Sequence, residues 1–226
     1  VEIRLPTEIS HRIKAVPFVK VNITDRSWKN RLETNQKITI PFVIDMCRSG
    51  RVDNFTNAAA ANGSAFKGKF YDDSDLYKVI EGVAYSLMNH PDKELENCLD
   101  KIIDAVSSAQ WDDGYLNTYY SLPTRQPEKR WVDLKVKHEL YCAGHLIEAA
   151  IAYYQATGKT KLLHTAIKFA DHINTVFVLS LSRAYFGHQL LERVLPKLCL
   201  FTSDESSLTL VNSLFHAPGK CRLCQS

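Results

Sequence analysis

The stretch KHELYCAGHLIEAAIAYYQAT, Lys137 to Thr157, decides how this chain is read. It holds no proline, is rich in alanine and is followed by Gly158, so its spacing predicts a helix of about five turns closed by a left-handed cap. At 100° per residue, Leu140, Ile147, Ile151 and Tyr154 share one face, and His138, Cys142, His145 and Ala149 share the opposite one, with Tyr141 at its flank. A surface helix carries one apolar stripe and a charged back. Here one side is apolar, while the other mixes small residues, imidazoles and a phenol, and Glu139 and Glu148 are nearly its only charges. Such a helix is expected to be buried on both sides, one face against a neighbouring layer and the other lining a polar pocket. A core helix with two inert, hydrogen-bonded histidines is the alternative.

Working outward, the 226 residues suffice for one large domain or two small ones. A hydrophobic content of 45% with 23% charged residues is that of a globular protein. The formal charge of +3 is spread without a long basic block, which implies neither nucleic acid nor an anionic membrane as partner. No apolar run reaches the length of a membrane span, and no signal-peptide pattern opens the chain. Cys47, Cys98 and Cys142 stand far apart in helix-like segments, the pattern of reduced, buried thiols, and on this ground a cytoplasmic location is favoured. Cys221 and Cys224 have a ligand-pair spacing but no second pair beside them. Three N-x-S/T triplets, at Asn22, Asn54 and Asn62, carry little weight.

Toward the N-terminus, Val16 to Ile23 reads as strand-like, Thr24 to Ser27 as a turn, Ile38 to Cys47 as a short helix and Arg51 to Lys69 as a loop. Periodicity then becomes strong. From a Ser74 cap, Leu76, Val79, Ile80, Val83, Leu87 and Met88 mark a helix ending at Asn89-His90. Pro91 and Asp92 open the next, with Leu95, Leu99, Ile102, Ile103, Val106 and Ala109 as its stripe and charges behind. The two form an antiparallel hairpin. The Lys137–Thr157 helix and a helix from Lys161 to Phe177 form a second.

The second hairpin repeats the first. Leu162 stands 67 residues after Leu95, as Ala166 does after Leu99, Phe169 after Ile102 and Ile173 after Val106. Hairpins recurring at a fixed period form an array in which each buries its open side on the next. With a long connection from Trp111 to Lys137 at one rim, the expectation is all-α: an incomplete (α/α) toroid, two hairpins plus an N-terminal extension, inner helices around a pocket, and an irregular C-terminal tail. Within the connection, Trp111 to Tyr120 packs aromatics, carboxylates and an amide together. That composition suits stacking on sugar C–H faces and binding of hydroxyls, or else rings tucked beneath their own loop. After Phe177 the period is lost; one helix around Ala184 to Leu195 is expected, then disorder beyond about Leu200.

The motifs Ile23-Thr24-Asp25-x-x-Trp28, Arg51-Val52-Asp53-Asn54-Phe55 and Phe70-Tyr71-Asp72-Asp73-Ser74-Asp75-Leu76-Tyr77-Lys78 are followed by Tyr85-Ser86-Leu87 and His90-Pro91-Asp92. Asp113-Gly114-Tyr115-Leu116-Asn117-Thr118 and His138-Glu139-Leu140-Tyr141-x-x-Gly144-His145-Leu146-Ile147-Glu148-Ala149 complete the series. In this order and at these separations, residues 15–177 resemble the N-terminal part of the catalytic barrel of glycoside hydrolase family 127, the β-L-arabinofuranosidase family. The resemblance implies an (α/α)6 barrel followed by β-sandwich domains, and retaining removal of terminal β-L-arabinofuranose from arabinose-containing oligosaccharides. It implies a cysteine nucleophile held on zinc by further cysteines and a glutamate, with a second carboxyl as acid/base. None of those groups aligns with the matched region, so no catalytic residue and no zinc are expected in this chain.

What carries over is part of a sugar pocket. His138 corresponds to a sugar-contacting histidine, and Asn54 lies in a loop that enters the site, although Phe55 stands where some members have glutamine. Asp73, Asp75 and Tyr141 are weaker candidates, Asp73 as a possible support of the Ser74 cap. Residues 1–177 are thus expected to be the front of a glycosidase barrel, inactive alone, and 178–226 a divergent tail of the kind a frameshift or misjoined exon produces. The open edge of such a barrel would favour self-association. The competing reading is a non-catalytic helical module that binds sugars or another protein.

Overall fold

A computed structural model describes residues 16, 20–179 and 189–202, leaving the side chains of 178 and 179 aside. Among these residues every regular element is helical. Helix α1 (Arg26–Thr34) passes through a π-helical stretch at Asn35–Thr39 into α2 (Ile40–Cys47). A kink at Ser49 and Gly50, where Gly50 takes φ 96°, leads into α3 (Asp53–Ala60). Then come α4 (Asp73–Asn89), α5 (Lys93–Ser108), the single turn α6 (Thr118–Ser121), α7 (Glu139–Thr157), α8 (Lys161–Asn174) and α9 (Leu190–Thr202).

The two hairpins stand as the periodicity predicts. Asp92 caps α5 by accepting from the Leu95 amide at 3.0 Å, and Gly158 closes α7 at φ 72°. Helix α7 packs most extensively against α4, with α8 behind it and α9 on its remaining flank. Cys142 in the first turn of α7 reaches the Tyr71 carbonyl just ahead of α4, so the two inner helices run parallel. Thirteen of the 19 residues of α7 are buried, Glu139 and Glu148 among them, as a helix enclosed on both sides requires. The charged helices α5 and α8 lie outside and touch each other: Lys161 Nζ meets Asp104 at 2.6 Å and Thr165 Oγ1 meets Ser107 Oγ at 3.0 Å. At the C-terminal end of α7, Lys159 Nζ bridges Glu96 and Asp100 of α5 at 2.5 and 2.6 Å, and Tyr153 OH donates to Asp100.

Four expectations need correction. Asp25 caps a helix by accepting from Ser27 and Trp28 amides, so helix begins at Arg26 rather than Ile38, and no strand occurs between 20 and 24. The asparagine-rich segment after Arg51 is not all loop. Its alanines favour helix, and Asn54, Phe55 and Ala58 form a buried face of α3. Ser74 lies inside α4, its hydroxyl donating to Tyr71 O at 2.8 Å, and Asp72 occupies the cap position. The last helix runs to Thr202 instead of ending by Leu195. It accepts Pro196 in its interior because Leu198 and Cys199 beyond it are buried and Lys197 is ion-paired to α7. The expected start at Ala184 and the tail past Thr202 lie outside the described residues.

Helix α9 is seated by shape and charge. Gly144 of α7 leaves the space it needs, since a Cβ there would lie 2.8 Å from Leu190 Cγ and Cδ2. Leu191, Val194, Leu195 and Leu198 are buried, and Glu148 accepts from Arg193 at 2.9 Å and Lys197 at 2.5 Å.

Candidate functional site

The connection between the hairpins is a folded substructure. Gly114 takes φ 89° with its Cα against α8, where a Cβ would come within 2.4 Å of Lys168 O, so only glycine fits. Tyr115 is fully buried and donates to Glu139 Oε1 at 2.6 Å. The Trp131 amide, at φ 64°, donates to both oxygens of the same carboxylate at 3.2 and 3.0 Å. Trp131 Nε1 donates to His172 Nε2 at 3.3 Å, and His172 Nδ1 donates to Asp113 O at 2.9 Å. Trp111 Nε1 donates to Ser121 Oγ at 2.8 Å. Trp111, Tyr115 and Tyr120 are therefore buried beneath the connection, the simpler of the two readings of its aromatics.

This bracing ends at the first turn of α7, where His138 stands in the left-handed region at φ 58°. Its Nδ1 donates to Val136 O at 2.5 Å, which fixes the tautomer and the ring plane. A continuous series of rings surrounds it along the N-terminal ends of α4 and α7. Phe70 and Tyr71 each lie 5.7 Å from the imidazole, Tyr141 also 5.7 Å, and His145 follows at 4.5 Å from Tyr141. Tyr119 extends the series beyond Phe70 at 6.2 Å. Charges edge it. Lys78 Nζ sits 5.0 Å over the Tyr141 ring and 3.6 Å from Asp75, and Asp75 is held by Arg51 at 2.8 Å.

Burial sets the protonation states. It is the largest influence on His145, lowered to about 4 with help from the nearby Lys78 ammonium, so this imidazole is neutral at physiological pH. The Cys142 thiol is pushed well up by burial and by Asp73. Burial raises Asp73 to about 6 against the opposing hydrogen bonds of Thr118, and Glu139 to about 7 against those of Tyr115 and Trp131.

Of the five candidate sugar-binding residues, the structure brings His138 and Tyr141 together and sets Asp75 one step away through Lys78. The other two are occupied elsewhere. Asn54 is buried, with its amide donating to Lys67 O at 2.8 Å and accepting from Lys67 N at 3.1 Å, so it braces the loop before α4. Asp73 is buried and accepts from Thr118 N at 2.8 Å and Thr118 Oγ1 at 2.5 Å, tying α4 to the connection rather than to a Ser74 cap. The sequence reading did not single out Phe70, Tyr71, Lys78 or Tyr119 as site residues. The first three lie inside the motif Phe70–Lys78 and Tyr119 inside the connection, so the signal was present as composition without direction.

A zinc site does not fit these side chains. Among the described residues no group of three His, Cys, Asp or Glu is placed to hold a metal ion. Cys47 and Cys142 are buried with thiols pushed up by that burial, the reverse of what a metal thiolate needs. Cys221 and Cys224 lie outside the described residues. No helix among these residues is long and apolar enough to cross a membrane.

Comparison with known proteins adds a family to this geometry. The chain is 33% identical to the non-reducing end β-L-arabinofuranosidase of Bifidobacterium longum subsp. longum, over 89% of its own length and 34% of the relative's. It superposes on a GH127 β-L-arabinofuranosidase from Geobacillus stearothermophilus T6 with a TM-score of 0.78 and 40% identity, covering 86% of this chain and 32% of that one. A second solved GH127 β-arabinofuranosidase gives 0.81 and 37%, over 88% and 33%. The chain thus spans about a third of the length of these relatives. The family model described as "Beta-L-arabinofuranosidase, GH127 catalytic domain" matches residues 20–222, a span running on past Phe177. With its helical array, its repeated hairpins and a match over most of its length, the chain belongs to the GH127 β-L-arabinofuranosidase catalytic-domain family.

Proposed function

We propose that the ring series around His138 binds the terminal L-arabinofuranose of arabinose-containing oligosaccharides, and that this chain binds its sugar without cleaving it. The observation carrying the reading is the run of rings from Phe70 through His138 to His145, edged by Lys78 and Asp75 at one end of the two inner helices. Ring faces for C–H groups, with imidazole, phenol and charged groups for hydroxyls, are what sugar recognition requires. The sugar class is inferred from the relatives, which are β-L-arabinofuranosidases.

Cleavage with retention needs a nucleophile and an acid/base poised on either side of the bond. Asp72 and Asp75, in the motif that carries Phe70 and Tyr71, both lean on Arg51, at 3.6 and 2.8 Å. That pairing ties both carboxylates to a guanidinium rather than leaving them free for a substrate. Titration of the purified chain with L-arabinose, followed by calorimetry or NMR, tests the binding, and incubation with an aryl β-L-arabinofuranoside tests the chemistry. We expect saturable binding that His138→Ala weakens about tenfold or more, the loss of one good hydrogen bond and a ring face. Equal affinity in the variant would remove His138 from the site, and steady release of the aryl group by homogeneous protein would overturn the absence of cleavage.

A further inference from the structure

Beside Tyr119 lies a concavity of about 450 Å³ between the loop that carries Phe66 and the connection. Its volume falls in the range of about 300–1,000 Å³ typical of small-ligand sites. Phe66 and Tyr119 meet edge to face at 5.2 Å on one wall, and the buried Tyr120 and Leu122 line it as well. Tyr119 is held in place: Lys137 Nζ lies 5.0 Å over its ring and donates to its hydroxyl at 3.4 Å. Asp133 is held too, its Oδ1 accepting from the Val136 amide at 3.1 Å. Glu128 and Lys129 also line the space, exposed, and their side chains make no hydrogen bond or ion pair with another described residue.

The chemistry of this lining narrows the ligand. Two acidic and two basic side chains, Glu128, Asp133, Lys129 and Lys137, balance, so the lining carries no net charge to draw in a phosphate or a polyanion. Ring faces beside unpaired donors and acceptors of both kinds suit an uncharged polyhydroxyl compound. Position narrows it further. Tyr119 and Lys137 belong to both regions: Tyr119 is 6.2 Å from Phe70 and Lys137 lies 4.8 Å over Phe70, whose ring is 5.7 Å from His138. The concavity is contiguous with the sugar site.

We infer that this concavity is a second subsite, which takes the neutral saccharide to which the terminal arabinofuranose is attached, with Phe66 and Tyr119 meeting its C–H face and Glu128 and Lys129 its hydroxyls. The inference rests on the sugar-binding reading of the His138 rings. Calorimetric titration of the whole chain with L-arabinose and with an arabinofuranosyl disaccharide tests it, using Phe66→Ala and the exposed Glu128→Ala, each checked for an unchanged thermal transition. Wild type should bind the disaccharide more tightly than arabinose. Each variant should weaken disaccharide binding, Phe66→Ala by about tenfold, and leave arabinose binding unaltered. A disaccharide bound no more tightly than arabinose, or variants that weaken both sugars equally or neither, would overturn the subsite alone. Failure of wild type to bind either sugar would overturn the reading of the His138 rings and the subsite with it.

Discussion

Glu139→Gln makes a prediction whose size depends on pH. Glu139 is 1% exposed and faces two donors, the Tyr115 hydroxyl and the Trp131 amide. Burial raises its folded-state value from 4.5 to about 7, so folding favours the protonated carboxyl. A group raised in this way contributes fully below 4.5, where folded and unfolded chains are both protonated. Its contribution is then lost as the pH climbs to about 7. Over that interval, at about 1.4 kcal/mol per pH unit, the loss amounts to about 3 kcal/mol. A protonated carboxyl accepts from the Trp131 amide with one oxygen and, with the Tyr115 hydroxyl turned to accept, donates to it with the other. Glutamine does the same with its carbonyl and amide, and it does not ionise. Urea unfolding of wild type and Glu139→Gln at pH 5 and pH 8 should therefore show a small relative gain for the variant at pH 5, under about 1 kcal/mol, and one of about 3 kcal/mol at pH 8. The double difference cancels every other titrating group, Asp73 included. A variant destabilised equally at both pH values would refute the reasoning and show that Glu139 is held ionised.

Three further outcomes are expected. Thr118→Val removes the Oγ1–H donor 2.5 Å from the buried Asp73 carboxylate, and should cost about 1–3 kcal/mol in thermal unfolding, more above pH 6 than below it. Gly144→Ala gains about 1 kcal/mol of helix propensity but places a Cβ 2.8 Å from Leu190, so a net loss of up to about 2 kcal/mol is expected; a more stable variant would mean that α9 does not pack there. Glu148→Gln deprives Arg193 and Lys197 of their shared carboxylate, and amide exchange in 190–202 should accelerate while that of α4 holds.

The hairpins were legible because burial writes itself into a 3.6-residue period. Leu99 and Ala166 are buried where the offset of 67 puts them. Segments without a period were not legible. Helix α3 hides in an asparagine-rich stretch because only Phe55 and Ala58 mark its apolar side, while its third inward residue is polar, Asn54. At the site, sequence supplied residue types but no directions. His138 and Asp73 lie in equally conspicuous motifs, yet one faces a series of rings and the other a buried threonine, a difference set by the path of the connection. That path depends on the left-handed Trp131 and its bond to Glu139, a contact across eight residues that no spacing rule encodes.

The acid–lysine cluster of Glu96, Asp100 and Lys159 sits at the end of α7 opposite His138, separated by a helix of 19 residues, about 28 Å. The molecule therefore keeps this ionic fastening and the ring series around His138 about three Debye lengths apart at ordinary salt. Added salt should loosen the junction of α5 and α7, and whatever it does to the Arg51–Asp75–Lys78 pairs beside the rings it does independently. The fastening end can likewise be re-engineered for heat tolerance, with denser ion pairing between α5 and α7, without retuning what the other end recognises.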